Sequence, residues 1–128
     1  MIFKNEKGFG VVEMLVGILL ASIMGAAVAS NLTSALKSGA RFDLNYAANS
    51  LANSKLELLA ATSAGSLDSS DNATETGLTY PNLDSTFTRA TAITVNSDSS
   101  RTAVVTVTAS NITIPTSVTQ TSTFAIWQ

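Results

Sequence analysis

The sequence predicts an α+β fold in which one long N-terminal helix packs on a small antiparallel β-sheet of about three strands. An apolar run over residues 9–29 is followed, over residues 30–61, by apolar residues at helical spacing. Residues 87–128 instead alternate apolar residues with threonine, and the intervening residues 62–86 are rich in serine and aspartate. Spacing of three and four residues indicates an amphipathic helix, whereas strict alternation indicates strands with one buried face.

Composition narrows the possible functions. The chain has 128 residues, a formal net charge of -2, and neither histidine nor cysteine. Disulfides, thiolate metal sites and nucleophilic devices that depend on imidazole are therefore excluded. We expect the protein not to be an enzyme, to bind no cofactor and no metal, and, given its acidic balance, not to have nucleic acid as its main partner.

Residues 9–29 have the length of a transmembrane helix. As a helix they would extend about 31 Å, the thickness of a bilayer core, and Glu13 is the one charged residue among them. Lys4 and Lys7 precede the run, which places the N-terminus in the cytoplasm and the chain after Ser30 outside. A signal peptide cleaved after residues 27–29 is the alternative, but a carboxylate inside the apolar run is not typical of one.

The residues around this start carry a family resemblance. The segment KGFGVVE, residues 7–13, together with the uncharged run after it, resembles the class III signal of type IV pilins and of type II secretion pseudopilins. The resemblance implies that residues 1–8 are a leader, which a prepilin peptidase removes between Gly8 and Phe9 before methylating the new amino terminus. It also implies that Glu13 pairs during assembly with the Phe9 amine of a neighbouring subunit. Gly10 stands where the family usually has serine or threonine.

The same resemblance implies a function and a location. The expected function is that of a structural subunit of a type IV pilus or related pseudopilus, held as a single-pass inner-membrane protein with a cytoplasmic N-terminus and then assembled into an extracellular or periplasmic filament. Expected partners are other pilin subunits, the prepilin peptidase, the inner-membrane assembly platform and, before assembly, membrane lipid. The order of a helix followed by a meander also resembles minor pilins of the pilus-modification type.

Two other kinds of function stay open at this stage. One is a tip or minor pilin that acts as a binding module in adhesion or DNA uptake, for which Arg89, Arg101, Tyr80 and Trp127 are the candidate contacts. A type II secretion pseudopilin is a further variant of the structural function. The other is a membrane-anchored enzyme with paired carboxylates, which is disfavoured because such acids need rigid elements whereas the candidate acids lie in predicted loops.

Small residues recur along the apolar run at every fourth position: Gly17, Ala21, Gly25 and Ala29. This spacing places them on one helix face and is typical of close helix packing in membranes. Chance explains the pattern equally well, because glycine and alanine are common in membrane helices.

The amphipathic part of the helix, residues 30–61, is predicted to present one apolar stripe, which consists of Leu36, Ala40, Leu44, Ala47, Leu51 and Leu58. The following residues 62–86 are predicted to be a solvated loop. Within it, Asp68, Asp71 and Glu75 are alternative calcium ligands, although no EF-hand spacing is present. The sequons that begin at Asn31, Asn72 and Asn111 are expected by chance in a chain so rich in serine and threonine.

The C-terminal residues are predicted to form the sheet. In residues 87–95 the predicted inner face carries Phe87, Thr91, Ile93 and Val95, and a turn follows at residues 96–100. In the next strand the inner face carries Ala103, Val105, Val107 and Ala109. The last strand, residues 118–127, is predicted to direct Phe124 and Ile126 to one side and Trp127 to the other.

Overall fold

The computed structural model describes residues 10–110 and 114–126. One α-helix, α1 (Val11–Ala61), is followed by two short 3-10 turns, Ala64–Ser66 and Ser69–Asp71. Four strands complete the chain: β1 (Ala73–Thr79), β2 (Thr86–Val95), β3 (Arg101–Ala109) and β4 (Thr116–Phe124). The predicted α+β class is confirmed.

The chain divides into two compact units, Met1–Ser38 and Gly39–Gln128. The described part of the first unit, residues 10–38, is helical after Gly10 and exposed from Val11 onward. The second unit contains the remainder of α1 and the whole sheet.

The sheet is a simple meander. Its strand order is β1-β2-β3-β4, and every neighbouring pair is antiparallel. The β2–β3 hairpin closes at the predicted turn, where the Asn96 amide donates to the Ser100 carbonyl at 2.9 Å and the Asp98 carboxylate accepts the Ser100 amide at 2.9 Å. Short connections of this kind keep consecutive strands adjacent.

One face of the sheet and one face of α1 form the core. Ala47, Ala48 and Ala52 of the helix are completely buried, as are Phe87 and Val105 of the sheet. Alanine side chains are short, so the sheet backbone can approach the helix closely at this point. The predicted inner faces of β2 and β3 are confirmed except at the last β2 residue, Val95, which is 50% exposed because it adjoins the hairpin turn.

The predicted apolar stripe of the helix is correct only at its centre. Leu44 is buried and Leu51 is half-buried, but Leu36 and Leu58 are 66% and 59% exposed, and Ala40 is also exposed. Leu36 belongs to the N-terminal unit, and at the end of the helix Leu59 is buried in place of Leu58. Adjacent helical residues differ by about 100°, so only one residue of such a pair can face the sheet.

The predicted loop over residues 62–86 contains a strand, which makes the number of strands four instead of about three. Strand β1 carries a bulge between Glu75 and Leu78, and Gly77 has a φ of 71°. A residue with positive φ and few β-branched side chains give the segment a weak strand signal. Its pairing depends on partners distant in sequence, since Glu75 lies opposite Arg89 and Leu78 lies opposite Phe87.

Candidate functional site

The predicted processing residues, Gly8 and Phe9, lie outside the described residues, which begin at Gly10. Gly10 is the residue immediately before α1, and its carbonyl accepts the amide of Met14 at 3.1 Å. Gly10 is therefore the N-cap of the helix, and Glu13 is the third helical residue.

Glu13 has a defined contact at this helix start. Its Oε2 accepts the backbone amide of Gly10 at 2.8 Å. This bond is one half of a capping box, and glycine lacks the side-chain oxygen that would make the other half. A carboxylate in the first turn is also stabilised by the positive end of the helix dipole.

Sequence analysis missed this capping role. The available signal was the three-residue separation of Gly10 and Glu13, but a glycine N-cap hides the usual motif. A side chain at Gly10 would meet the Glu13 carboxylate, whose Oε2 lies in the space of a Cβ. Glycine therefore leaves room for the carboxylate to reach the backbone.

The first half of α1 presents a large apolar surface. Exposed apolar side chains extend from Val11, which is 74% exposed, to Leu32, which is 59% exposed. Its polar side chains are satisfied within the helix, since the hydroxyls of Ser22 and Thr33 donate to the carbonyls of Ile18 and Ala29 at 2.8 and 2.9 Å. The helix is long and apolar enough to cross a membrane.

The small residues of this half form an open face within the chain. No atom lies within 4 Å of the position that a Cβ would take at Gly17 or at Gly25. Ala21 and Ala29 are exposed. Another helix therefore meets no obstruction from this chain along that face.

The three acidic residues considered as calcium ligands have other partners. Asp68 and Asp71 form a capping box around the turn Ser69–Asp71, in which the Asp68 amide donates to Asp71 Oδ2 at 3.0 Å. The hydroxyl and the amide of Ser70 both donate to Asp68, and these bonds lower the pKa of the Asp68 carboxyl. Within residues 10–110 and 114–126, no three acidic side chains form a group that could hold a metal ion.

Glu75 belongs to an ion-pair cluster. Its Oε2 lies 2.7 Å from Arg89 Nε and 3.6 Å from Lys55 Nζ. The hydrogen bond from Arg89 is the main cause that lowers the pKa of the Glu75 carboxyl, and it outweighs the opposing effect of burial. This cluster joins β1, β2 and α1, which is a structural role.

The candidate nucleic-acid contacts are likewise committed inside the chain. Besides the bond to Glu75, Arg89 donates to the carbonyl of Leu51 at 2.9 Å, and Arg101 donates to the carbonyls of Leu67 and Ser99 at 2.7 and 2.6 Å. The half-buried Tyr80 ring stands edge-on to Tyr46, with centroids 6.3 Å apart. Trp127 lies outside the described residues.

The sequons differ in their surroundings. Asn31 is an exposed residue of α1, and Asn111 lies outside the described residues. Asn72 Oδ1 accepts the backbone amide of Ile93 at 2.6 Å, which ties the start of β1 to β2. This structural role of Asn72 was not evident from the sequence, because its partner is in another strand.

No protein-family model, no curated protein and no solved structure matches this chain. The arginines and acidic residues singled out from the sequence serve the outer unit's own structure. The exposed apolar helix with Glu13 in its first turn is therefore the candidate functional site.

Proposed function

We propose that this chain is a structural subunit of a type IV pilus or related pseudopilus, assembled into a filament through its N-terminal helix. The observation that carries the proposal is the exposed apolar surface of α1 with one carboxylate, Glu13, in its first turn. An apolar surface of this extent needs lipid or other helices to cover it. A filament subunit uses the same surface twice, first against lipid and then against neighbouring subunits.

Processing would change the charge at the start of the helix. Cleavage between Gly8 and Phe9 removes Lys4 and Lys7 and leaves a new amino group one residue before the N-cap. A cation there is unfavourable, because it adds to the positive end of the helix dipole. The nearby Glu13 carboxylate offsets this charge, which gives a physical reason for an acid at this position.

The geometry of Glu13 supports a second contact during assembly. A carboxylate has acceptor sites for several donors, so Glu13 can keep its bond to the Gly10 amide and also accept the Phe9 ammonium of a neighbouring subunit. An unpaired carboxylate or ammonium at membrane depth costs several kcal/mol. Pairing between subunits removes that cost and favours the correct axial position of each incoming helix.

Packing between helices would use the open face of small residues. Gly17 and Gly25 have free space beside them, and their spacing with Ala21 and Ala29 matches small-xxx-small packing. Close approach of helix backbones increases van der Waals contact where no hydrophobic driving force separates protein from lipid.

The proposed location is the inner membrane, with the N-terminus in the cytoplasm, followed by an extracellular or periplasmic filament. The proposed partners are the prepilin peptidase, the assembly platform and other subunits. A major pilin, a minor or tip pilin and a type II secretion pseudopilin are variants of this proposal. The DNA-uptake variant gains no support from Arg89 and Arg101, because both donate to groups within the chain.

Mass spectrometry of the chain isolated from membranes tests the proposal. We expect a protein that begins at Phe9 and carries one added methyl group. Gly8→Leu should block this cut, and Gly10→Ala should leave it intact as the matched control. An intact Met1 terminus, or a chain that begins near Ser30, would contradict the proposal. A processed chain should then appear in sheared filaments.

A further inference from the structure

The outer face of the sheet, opposite α1, has an unusual composition. We call it the threonine face and define it by positions 74 and 79 of β1, the even positions 86–94 of β2 and 102–108 of β3, and the odd positions 117–123 of β4. These positions share one side because they pair with one another in register across the sheet. All of them are exposed or half-buried.

Every position of the threonine face is threonine except Ala90, Ala92, Val104 and Ser117. None of its positions carries a charged or an aromatic side chain. A water-facing sheet normally mixes charged residues into such a surface to keep it soluble and to prevent association. The threonine face lacks this protection although the chain as a whole has a net charge of -2.

Its apolar members lie together at the centre. Val104 of β3 pairs with Ala92 of β2, and the neighbouring pair on this face joins Ala90 to Thr106. Threonines surround this group on the flanking rows and on β4. An apolar centre inside a polar, uncharged rim is the usual anatomy of a protein–protein contact.

Some hydroxyls of the rim are already paired within the face. The hydroxyls of Thr102 and Thr123 lie 3.3 Å apart, and those of Thr106 and Thr119 lie 3.1 Å apart. A hydroxyl that already has a hydrogen-bond partner costs less to remove from water than one without a partner. These pairs therefore lower the cost of covering the face with protein.

The size of the face limits how strong such a contact can be. Four strands spaced about 4.8 Å apart and about 30 Å long present roughly 600 Å² per copy. A stable interface buries about 800 Å² per partner. The face is therefore large enough for a weak, reversible contact and too small for a permanent one.

We propose that the threonine face docks on the same face of a second copy of this chain, in a two-fold sheet-on-sheet contact. A second copy is favoured because two identical uncharged faces meet without charge repulsion, and because a two-fold contact places apolar centre on apolar centre. A charged partner would find no counter-charge on this face. The inference goes beyond the proposed function and does not depend on filament formation.

The absence of cysteine allows a clean cross-linking test on the full chain in detergent micelles. Val104→Cys places one thiol at the centre of the face, and Asn53→Cys places one on the exposed side of α1 as the matched control. With a short bis-maleimide, we expect several-fold more cross-linked dimer from Val104→Cys, rising with protein concentration. Equal yields would overturn the proposal, because contacts through the helices or the micelle would then explain the dimer.

A charge-swap experiment gives an independent measure. Adding Ala92→Lys or Ala92→Glu to Val104→Cys should each reduce the cross-linked fraction several-fold, because two like charges then meet near the two-fold axis. A mixture of the two variants should restore it through opposite charges, which also shows that both variants are folded. Unchanged cross-linking in the single variants, or no recovery in the mixture, would exclude this contact.

Discussion

Arg89 and Glu75 face each other across β1 and β2, with Arg89 Nε 2.7 Å from Glu75 Oε2. The same guanidinium donates from Nη1 to the carbonyl of Leu51 on α1 at 2.9 Å. One side chain thus joins two strands to the helix. It is largely shielded from water, with 12% of the Arg89 side chain exposed.

Replacing Arg89 should weaken the outer unit. Arg89→Ala leaves Glu75 without its main partner, and we expect a loss of about 2 kcal/mol in the free energy of unfolding. Arg89→Lys should lose less, because it keeps the charge but not the planar fork that reaches both partners. Urea unfolding of the full chain in micelles measures both, with the exposed Arg41→Ala as a control expected within about 0.5 kcal/mol of the wild type.

The same pair predicts how stability depends on acid. The pKa of Glu75 in the folded protein is lowered from 4.5, its ordinary value. The carboxylate therefore contributes stability above about pH 4.5, and this contribution is lost as the pH falls through the lowered pKa. Glu75→Gln should flatten the acid side of the stability profile, as measured by urea midpoints from pH 7 to pH 3.

The control for this profile is Glu57→Gln. Glu57 is an exposed helix residue that forms no ion pair among the residues the structure describes. Its replacement should leave the shape of the profile nearly unchanged. Identical profiles for Glu75→Gln and the wild type would show that the ion pair does not stabilise the folded chain.

Thr91 should become more favourable as valine. The residue is 4% exposed in the core, and its hydroxyl is buried without a hydrogen-bond partner. Valine has nearly the same shape and removes the unsatisfied group, so Thr91→Val should raise the free energy of unfolding by about 1 kcal/mol. The exposed Thr94→Val is the matched control, and a loss of stability at position 91 would indicate that water or a partner satisfies the hydroxyl.

A shortened chain should keep the outer fold. A chain that begins at Ala35 lacks the exposed apolar part of α1 but retains every buried residue of the helix, from Leu44 to Leu59. We expect it to be soluble without detergent and to unfold cooperatively, because helix and sheet bury each other's apolar faces. Circular dichroism and thermal unfolding measure this, and a random-coil spectrum would contradict the division into units.

Three substitutions at Glu13 separate helix capping from charge pairing. Glu13→Gln can still accept the Gly10 amide but has no charge, whereas Glu13→Ala loses both properties. If pairing with a neighbouring Phe9 amine drives assembly, both variants should be processed normally yet fall to low levels in sheared filaments, and Glu13→Asp should be intermediate. Wild-type levels of Glu13→Gln would assign capping alone to this residue.

Local patterns explain which parts of the fold were predictable. The apolar run, the end of α1 near Ala61, the turn at residues 96–100 and the inner face of β3 each follow from spacing within a short segment. Strand β1 could not be predicted in this way, because Gly77 and the bulge weaken its own signal and its stability comes from Arg89 and Phe87 in the next strand. The buried position of Leu59 instead of Leu58 likewise depends on where the sheet meets the helix.

The sequence by itself determined the candidate membrane helix and the position of Glu13 near its start, because hydropathy and charge are properties of the residues themselves. Only the tertiary structure decided that Glu13 accepts the Gly10 amide, that Arg89 links both strands to α1, and that the threonines of β2, β3 and β4 form one uncharged face. Those contacts depend on strand register and helix position, which follow from the packing of the whole unit and leave little trace in any single segment.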